Sequence, residues 1–107
     1  MPVFGHTPTK GEILLRKGCD FVWFLEVEED DPLPDGTQVT LYVYTRDSED
    51  IIAFWPAAEV WPGGVQFQIF ADDHQPVPDG AKFTVILHKP GFPKTPWFEG
   101  RISKVNR

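Results

Sequence analysis

The chain contains one short cluster that could bind a metal ion. Asp72, Asp73 and His74 place two carboxylates beside an imidazole, and these groups are ligands of zinc and of hard divalent cations. On a strand, successive side chains point to opposite faces of the sheet, so these three could not reach one ion. In a loop they would face solvent. We therefore predict a solvated loop at this position, and no metal or other cofactor.

Residues for nucleophilic or acid–base catalysis are scarce. Ser48 and Ser103 are the only serines, and neither lies in the Gly-x-Ser-x-Gly pattern of a nucleophile elbow. His6 lies in the N-terminal segment and His88 on the outer face of a predicted strand, so neither has an obvious nucleophile to serve. Pairs of acidic residues occur in any acidic β protein, so they do not by themselves predict glycoside cleavage. We predict that the protein is not an enzyme.

The composition limits the architecture that positions these residues. A chain of 107 residues forms one domain with a single core. Its 11 prolines and 9 glycines fit short strands joined by tight turns, and no sustained 3.6-residue pattern predicts a long helix. Cys19 is the only cysteine, so no disulfide can form within the chain. The 9 phenylalanines and 4 tryptophans are generous for such a core, and we expect some to contact other molecules.

A sequence echo is the main signal for the fold. Residues 33–44 and residues 77–88 each begin with an apolar residue and a Pro-Asp-Gly turn, followed by a run in which apolar and other residues alternate. Alternation with a period of two is typical of a strand with one buried face, and Pro-Asp-Gly suits the turn before it. The echo records either an old duplication or the independent use of a turn that suits strand entry. Both explanations predict a β protein.

Turn signals divide the chain into about seven short strands. We predict them at residues 12–16, 21–28, 37–45, 51–61, 65–70, 81–87 and 97–105. The fourth should be irregular, because Pro56 cannot donate to a strand ladder and implies a bulge, a break or an edge position. The residues expected to face the core are Phe21, Trp23, Leu25, Val27, Val39, Leu41, Val43, Val65, Phe67, Ile69, Phe83, Val85 and Leu87.

This pattern predicts an all-β fold, specifically an immunoglobulin-like antiparallel β-sandwich. A small closed β-barrel is the alternative, because about seven strands and frequent glycines fit both architectures. Residues 1–11 are predicted to form an extended N-terminal arm, and residues 12–107 the sandwich domain.

Charge is distributed unevenly along the chain, whose formal net charge is −6. Between Gly18 and Gly80 the acidic residues are opposed only by Arg46, whereas from Ala81 onwards basic residues dominate and Glu99 is the only acid. The acidic middle region should repel nucleic acid, so no nucleic-acid partner is expected. The uneven charge reflects either solvated loops and a solvated tail, or a contact in which unlike ends of neighbouring copies meet.

Apolar and aromatic residues on the predicted outer faces are candidates for partner contact. Tyr42 and Tyr44 in the third strand, and Ile86 and His88 in its counterpart, occupy matching outward positions. They form one apolar stripe if the two strands share a sheet. Either the arm or a loop of the same chain covers that stripe, or a neighbouring subunit does.

Three tryptophans have two alternative roles. Trp55, Trp61 and Trp97 belong either to the core or to a flat platform on which sugar rings stack. The second role would make the domain a carbohydrate-binding module. A membrane partner is not expected, because no run is long and apolar enough to cross a bilayer and residues 1–8 lack the features of a signal peptide.

Five motifs, taken in order, carry a resemblance to a known family. They are residues 18–22 at the opening of a strand, residues 33–39, the Trp55-Pro56-Ala57 triplet, residues 78–85 and residues 97–102. In this order and spacing the chain resembles the LtfC-like small β-sandwich proteins of actinobacterial tailed phages, over roughly residues 12–105. The arm before residue 11 and the loop at residues 91–96 match no motif of that family.

The resemblance implies a non-enzymatic virion structural protein, made in the cytoplasm of the host bacterium. It would be a minor capsid or head-decoration protein, or a tail-associated module. A short, acidic, disulfide-free sandwich suits a protein that docks on a lattice of other proteins, and an acidic outer surface suits the outside of a DNA-filled shell. We therefore favour the head, with the major capsid protein as the preferred partner, copies of the chain itself as further partners and a glycan as the alternative.

Nine residues are the predicted contacts with that partner. They are Val3 and Phe4 in the arm, Tyr42, Tyr44, Ile86 and His88 in the outer stripe, and the basic residues Arg101, Lys104 and Arg107 near the end of the sequence. The arm would gain order on binding at an entropic cost, and the basic residues would meet an acidic surface.

Overall fold

The computed structural model describes residues 9–27, 32–47 and 50–105. These residues form β1 (Thr9–Arg16), β2 (Phe21–Glu26), β3 (Gln38–Tyr44), β4 (Ile51–Pro56), β5 (Glu59–Trp61), β6 (Gly64–Ile69), the short helix α1 (Ala71–His74), β7 (Lys82–His88) and β8 (Thr95–Val105). The fold is all-β, as the alternation predicts.

The strands pack as two sheets. One has the order β1-β8-β7-β3-β4, and the other has the order β2-β6-β5. Strands β8, β7, β3 and β4 opposite β2, β6 and β5 reproduce the GFCC′ and BED sheets of an immunoglobulin domain, with the first strand added at one edge of the larger sheet. The immunoglobulin-like sandwich is thus confirmed, and the described strands form two open sheets rather than a closed barrel.

The sandwich was predicted to be antiparallel, and the structure differs from this at one edge of the larger sheet. Every described strand pair is antiparallel except β1 and β8, which run parallel from Thr9 opposite Phe98 to Arg16 opposite Val105. This pairing begins β1 three residues before the predicted start at Glu12. Residues 9–11, which we assigned to the arm, are therefore strand residues.

The core lies between the two sheets and is built from the alternating residues of both. Val39, Leu41 and Val43 of β3 are buried, and so are Val65, Phe67 and Ile69 of β6. On β2 the same alternation buries Leu25 fully and packs Phe21, Trp23 and Val27 against the core. On β7 it buries Phe83 and Val85 and packs Leu87 against them. The predicted inward faces are therefore confirmed.

The two Pro-Asp-Gly turns have the same structure. Gly36 and Gly80 have φ angles of 86° and 85°, a left-handed conformation that favours glycine. In each turn the residue after the glycine donates its N–H to the carbonyl of the proline, Thr37 to Pro34 at 3.2 Å and Ala81 to Pro78 at 3.3 Å. The sequence echo is thus an echo in structure, and the two turns lead into β3 and β7, which are antiparallel neighbours in one sheet.

The irregular strand predicted at residues 51–61 is two strands in different sheets. β4 ends at Pro56 and forms the edge of the larger sheet, where the missing N–H of proline costs no ladder hydrogen bond. The chain then crosses to the smaller sheet and continues as β5. The N–H groups of Ala57 and Ala58 mark the crossing, because they donate to Val39 of β3 and to Gln66 of β6 respectively.

The connection from β6 to β7 buries His74, which the sequence placed in a solvated loop. His74 is 1% exposed, and its Nε2 donates to the backbone carbonyl of Cys19 at 2.7 Å. Its Nδ1 has no hydrogen-bond partner among the described residues. The solvated-loop prediction is therefore wrong for His74, because the helical turn of α1 directs the ring inward while Asp72 and Asp73 stay exposed.

Polar contacts fasten this connection to its neighbours. The N–H of Ala71 donates to the carboxylate of Asp20 at 2.8 Å, in the turn between β1 and β2. The ammonium of Lys104 on β8 donates to the backbone carbonyls of His74 and Gln75 at 3.0 and 2.9 Å. Hydrogen bonds thus connect α1 and the residue after it to the turn between β1 and β2 and to β8.

Candidate docking face

Those candidate catalytic residues that the structure describes do not form a catalytic group. Ser103 donates to the carboxylate of Glu12 on β1, and no histidine takes part in that pair. His88 lies partly buried on β7, while His6 and Ser48 lie outside the described residues. Within the described ranges, no three His, Cys, Asp or Glu side chains are grouped so that they could hold a metal ion.

The predicted outer stripe lies on the outer face of the five-stranded sheet. β3 and β7 pair antiparallel, and their inward residues are buried, so the alternate residues Tyr42, Tyr44, Ile86 and His88 all point away from the core. The antiparallel register does not set them directly opposite one another: Tyr42 faces Thr84, and Ile86 faces Thr40. The four residues therefore form a diagonal band across two strands.

An exposed phenylalanine extends this band and was not predicted. Phe54 on β4 lies opposite Tyr42, and the two ring centroids are 6.1 Å apart. Phe54 is 62% exposed, which makes it the most exposed ring of this face. Alternation could have identified Phe54 as outward-facing, because its neighbours Ala53 and Trp55 face the core. Pro56 made this strand look irregular, so the alternation was not recognised. We call Tyr42, Tyr44, Phe54, Thr84, Ile86 and His88 the docking face.

Charged residues border the docking face on the side of β1 and β8. Lys10, Lys82 and Arg101 surround a cleft of about 520 Å³ that also includes Tyr44 and Glu99. Lys10 forms an ion pair with Glu99, whereas Arg101 is exposed and lies opposite Lys82 in the sheet. Three cations against one carboxylate give this border a positive charge, although the chain as a whole is acidic.

The predicted basic contacts have different surroundings. Arg101 is exposed at the border of the docking face. Lys104 contacts the connection between β6 and β7 with its ammonium, and its backbone N–H donates to Asp79 at 2.9 Å, so this residue serves the fold. Val3, Phe4 and Arg107 lie outside the described residues.

The three tryptophans do not form one platform. Trp55 on β4 and Trp97 on β8 pack against the core, and Trp97 also contacts the ring of Phe98 with centroids 5.1 Å apart. Trp61 is 38% exposed on the other sheet, where its ring lies over Gly64. The core assignment thus holds for Trp55 and Trp97.

The docking face has the chemistry of a protein contact surface. Its centre is flat, aromatic and hydroxyl-bearing, and its border is charged, the distribution that protein–protein interfaces show between their core and their rim. Tyrosine and phenylalanine supply large contact areas, and aromatic residues are the usual anchors of such interfaces.

The amino-acid sequence was also compared with known proteins. Residues 7–105 match the family model described as "LtfC-like, beta-sandwich domain", which covers nearly the whole chain. No curated protein matches the chain. The only helix within the described ranges, α1, is far too short to cross a membrane.

Proposed function

Because the chain belongs to the LtfC-like β-sandwich domain family, we propose that it is a non-enzymatic structural protein of a phage virion. Membership of this family is consistent with a phage-associated protein and suggests a structural rather than a catalytic role. In this proposal the domain is a minor capsid or head-decoration protein that docks on the capsid lattice. Its partner is the major capsid protein.

The docking face is the observation that carries this proposal. Phe54 is 62% exposed on the edge strand β4, and its ring centroid lies 6.1 Å from that of the half-buried Tyr42 on β3. Exposed aromatic groups on a rigid sheet are costly for a free protein in water and favourable once a partner covers them. A sheet also keeps its shape on binding, so little conformational entropy is lost when it docks.

Charge supports the head as the location. The border cations Lys82 and Arg101 can pair with an acidic patch on the partner, which orients the domain as it approaches. The net charge of −6 then belongs mainly to the surface that remains in solvent. An acidic outward surface suits the outside of a particle filled with DNA, whereas a DNA-facing protein would carry a positive surface.

We predict that a carboxylate in the docking face prevents docking. The variant Phe54→Glu should fold, because the position is exposed, but its incorporation into particles should fall at least ~10-fold, since an unpaired charge would be buried against the partner. The measurement is the copy number of the variant per particle, after complementation of a phage that lacks the gene.

The matched control is Phe24→Glu. Phe24 is 60% exposed and lies on β2, on the opposite side of the sandwich, so the same chemical change is made outside the docking face. The control should be incorporated like the original protein. Equal copy numbers for Phe54→Glu and the original protein would refute docking through this face.

A further inference from the structure

A groove opens at the end of the sandwich opposite α1. It lies between the segment that leads into β3 and the loop between β7 and β8, and its volume is about 870 Å³. Most of its lining is apolar, from Leu33, Pro34, Leu87, Phe92, Pro93 and Trp97. Phe92 is 64% exposed, so a large aromatic ring lines the groove without a cover from the described residues.

The first strand leads directly towards this groove. The parallel pairing of β1 with β8 begins with Thr9 opposite Phe98, while β8 itself begins three residues earlier at Thr95. On its other side β8 pairs with β7 as far as Thr95, which lies opposite Leu87. The side of residues 95–97 that faces away from β7 is therefore an open strand edge within the described part of the chain. Thr95 and Trp97 also line the groove.

The residues that precede Thr9 have a suitable chemistry for this groove. Residues 1–8 read Met-Pro-Val-Phe-Gly-His-Thr-Pro and contain no acidic or basic side chain other than His6. Val3 and Phe4 are bulky and apolar, and a proline-rich segment favours the extended conformation that aromatic grooves bind. Phe4 is five residues from Thr9, so it can lie up to roughly 17 Å from it. The open edge of β8 runs from Phe98 back to Thr95, roughly 10 Å at the rise of a strand, so that reach extends beyond Thr95, which lines the groove.

We propose that residues 1–8 dock in the groove of their own chain, with Val3 and Phe4 against Phe92 and Trp97. The segment would extend the parallel pairing along residues 95–97 and then bury its apolar side chains. Attachment through β1 gives the segment an effective concentration on the order of millimolar at the groove, which favours the same chain over a neighbour. This inference does not depend on the proposed function. If residues 1–8 also contact a virion partner, that partner must first displace them from the groove.

The test places a spin label within residues 1–8 and detects the broadening of NMR signals from residues that line the groove. The full chain carries His6→Cys for the label and Cys19→Ser, a change at an exposed position whose side chain takes no part in the contact with His74. We expect loss of the Trp97 indole signal and of the amide signals of the loop between β7 and β8. Phe4→Asp in the same background should restore them.

A mixed sample identifies the chain that supplies the arm. It combines isotope-labelled chains without the spin label and spin-labelled chains without the isotope, so broadening arises only between molecules. We expect no broadening in this sample. Broadening there would overturn docking within one chain and show exchange of arms between copies, and an unaffected Trp97 signal in the first sample would overturn the proposal altogether.

A second measurement avoids the label. Hydrogen exchange of the backbone amides of Gly91, Phe92, Lys94, Thr95 and Trp97 should be faster in Phe4→Asp than in the original chain, because residues 1–8 no longer cover them. His6→Ala is the matched control, since it alters the same segment without removing an apolar anchor, and it should leave exchange unchanged. The same exchange rates in all three proteins would contradict the proposal.

Discussion

Replacement of Gly100 by alanine is expected to lower the free energy of unfolding by about 3 kcal/mol or more. Gly100 on β8 lies opposite Gly11 on β1, and a Cβ added to Gly100 would clash with the carbonyl oxygen of Gly11. The atom in the way belongs to the backbone, so no side chain can rotate to make room. The parallel pairing of β1 with β8 would have to open. Urea unfolding followed by tryptophan fluorescence gives the free energy.

Gly11→Ala is the matched control for this prediction. A Cβ at Gly11 would meet nothing within 4 Å, although the two glycines face each other in the same pair of strands. The control should change the free energy of unfolding by less than ~0.5 kcal/mol. If the two variants were equally stable, the close approach of β1 to β8 at Gly100 would be wrong, and with it the parallel edge of the larger sheet.

The second large effect is expected from Phe67→Ala. Phe67 is fully buried between the sheets, and its ring packs near that of Trp23 with centroids 6.2 Å apart. Removal of the ring loses its transfer free energy and leaves a cavity, which costs about 3–5 kcal/mol for a buried phenylalanine. For a domain of this size that loss is a large part of the total stability. Thermal and urea unfolding should both show it.

Phe24→Ala serves as the control here. Phe24 lies on β2, next to the strand of Phe67, but its ring is 60% exposed on the outer surface. The same truncation there should cost less than about 1 kcal/mol, because little apolar area leaves or enters water. A loss for Phe24→Ala as large as that for Phe67→Ala would mean that the two faces of β2 and β6 are assigned the wrong way round.

The strands and their buried faces could be predicted because the signals for them are local. In β3 and β6 every second residue is apolar, and the segment is bounded by residues that favour turns, so the period alone identifies the inward side. The two Pro-Asp-Gly turns are likewise local, because Gly36 and Gly80 adopt a conformation that depends on the glycine itself. These features needed no knowledge of distant neighbours.

The parallel edge and the burial of His74 could not be predicted, because both depend on residues far away in the sequence. β1 starts at Thr9 only because β8, some ninety residues later, offers it an edge. The buried ring of His74 donates a hydrogen bond to the carbonyl of Cys19, which lies 55 residues away in the sequence. In the sequence alone, Thr9 reads as part of an extended, proline-rich arm and His74 as one more polar residue in an acidic loop.

The candidate site could be predicted only in part, because alternation within a strand is a local signal and the register between strands is not. Tyr42 and Ile86 were assigned to one outer face from alternation within each strand, and the structure does place them there. Their diagonal arrangement depends on the antiparallel register of β3 and β7, which no local pattern specifies. Phe54 was missed because Pro56 made its strand look irregular. The contacts of Lys104 with the carbonyls of His74 and Gln75 could not be predicted either, because they join residues about thirty positions apart in the sequence.

The most direct test of the proposed function is quantitative mass spectrometry of purified virions separated into heads and tails. A docking protein of the capsid lattice should be found in the head fraction, in a fixed ratio to the major capsid protein that remains after washing in moderate salt. Absence of the chain from purified particles, or its presence in the tail fraction alone, would contradict the assignment of this β-sandwich as a head protein that docks through its aromatic face.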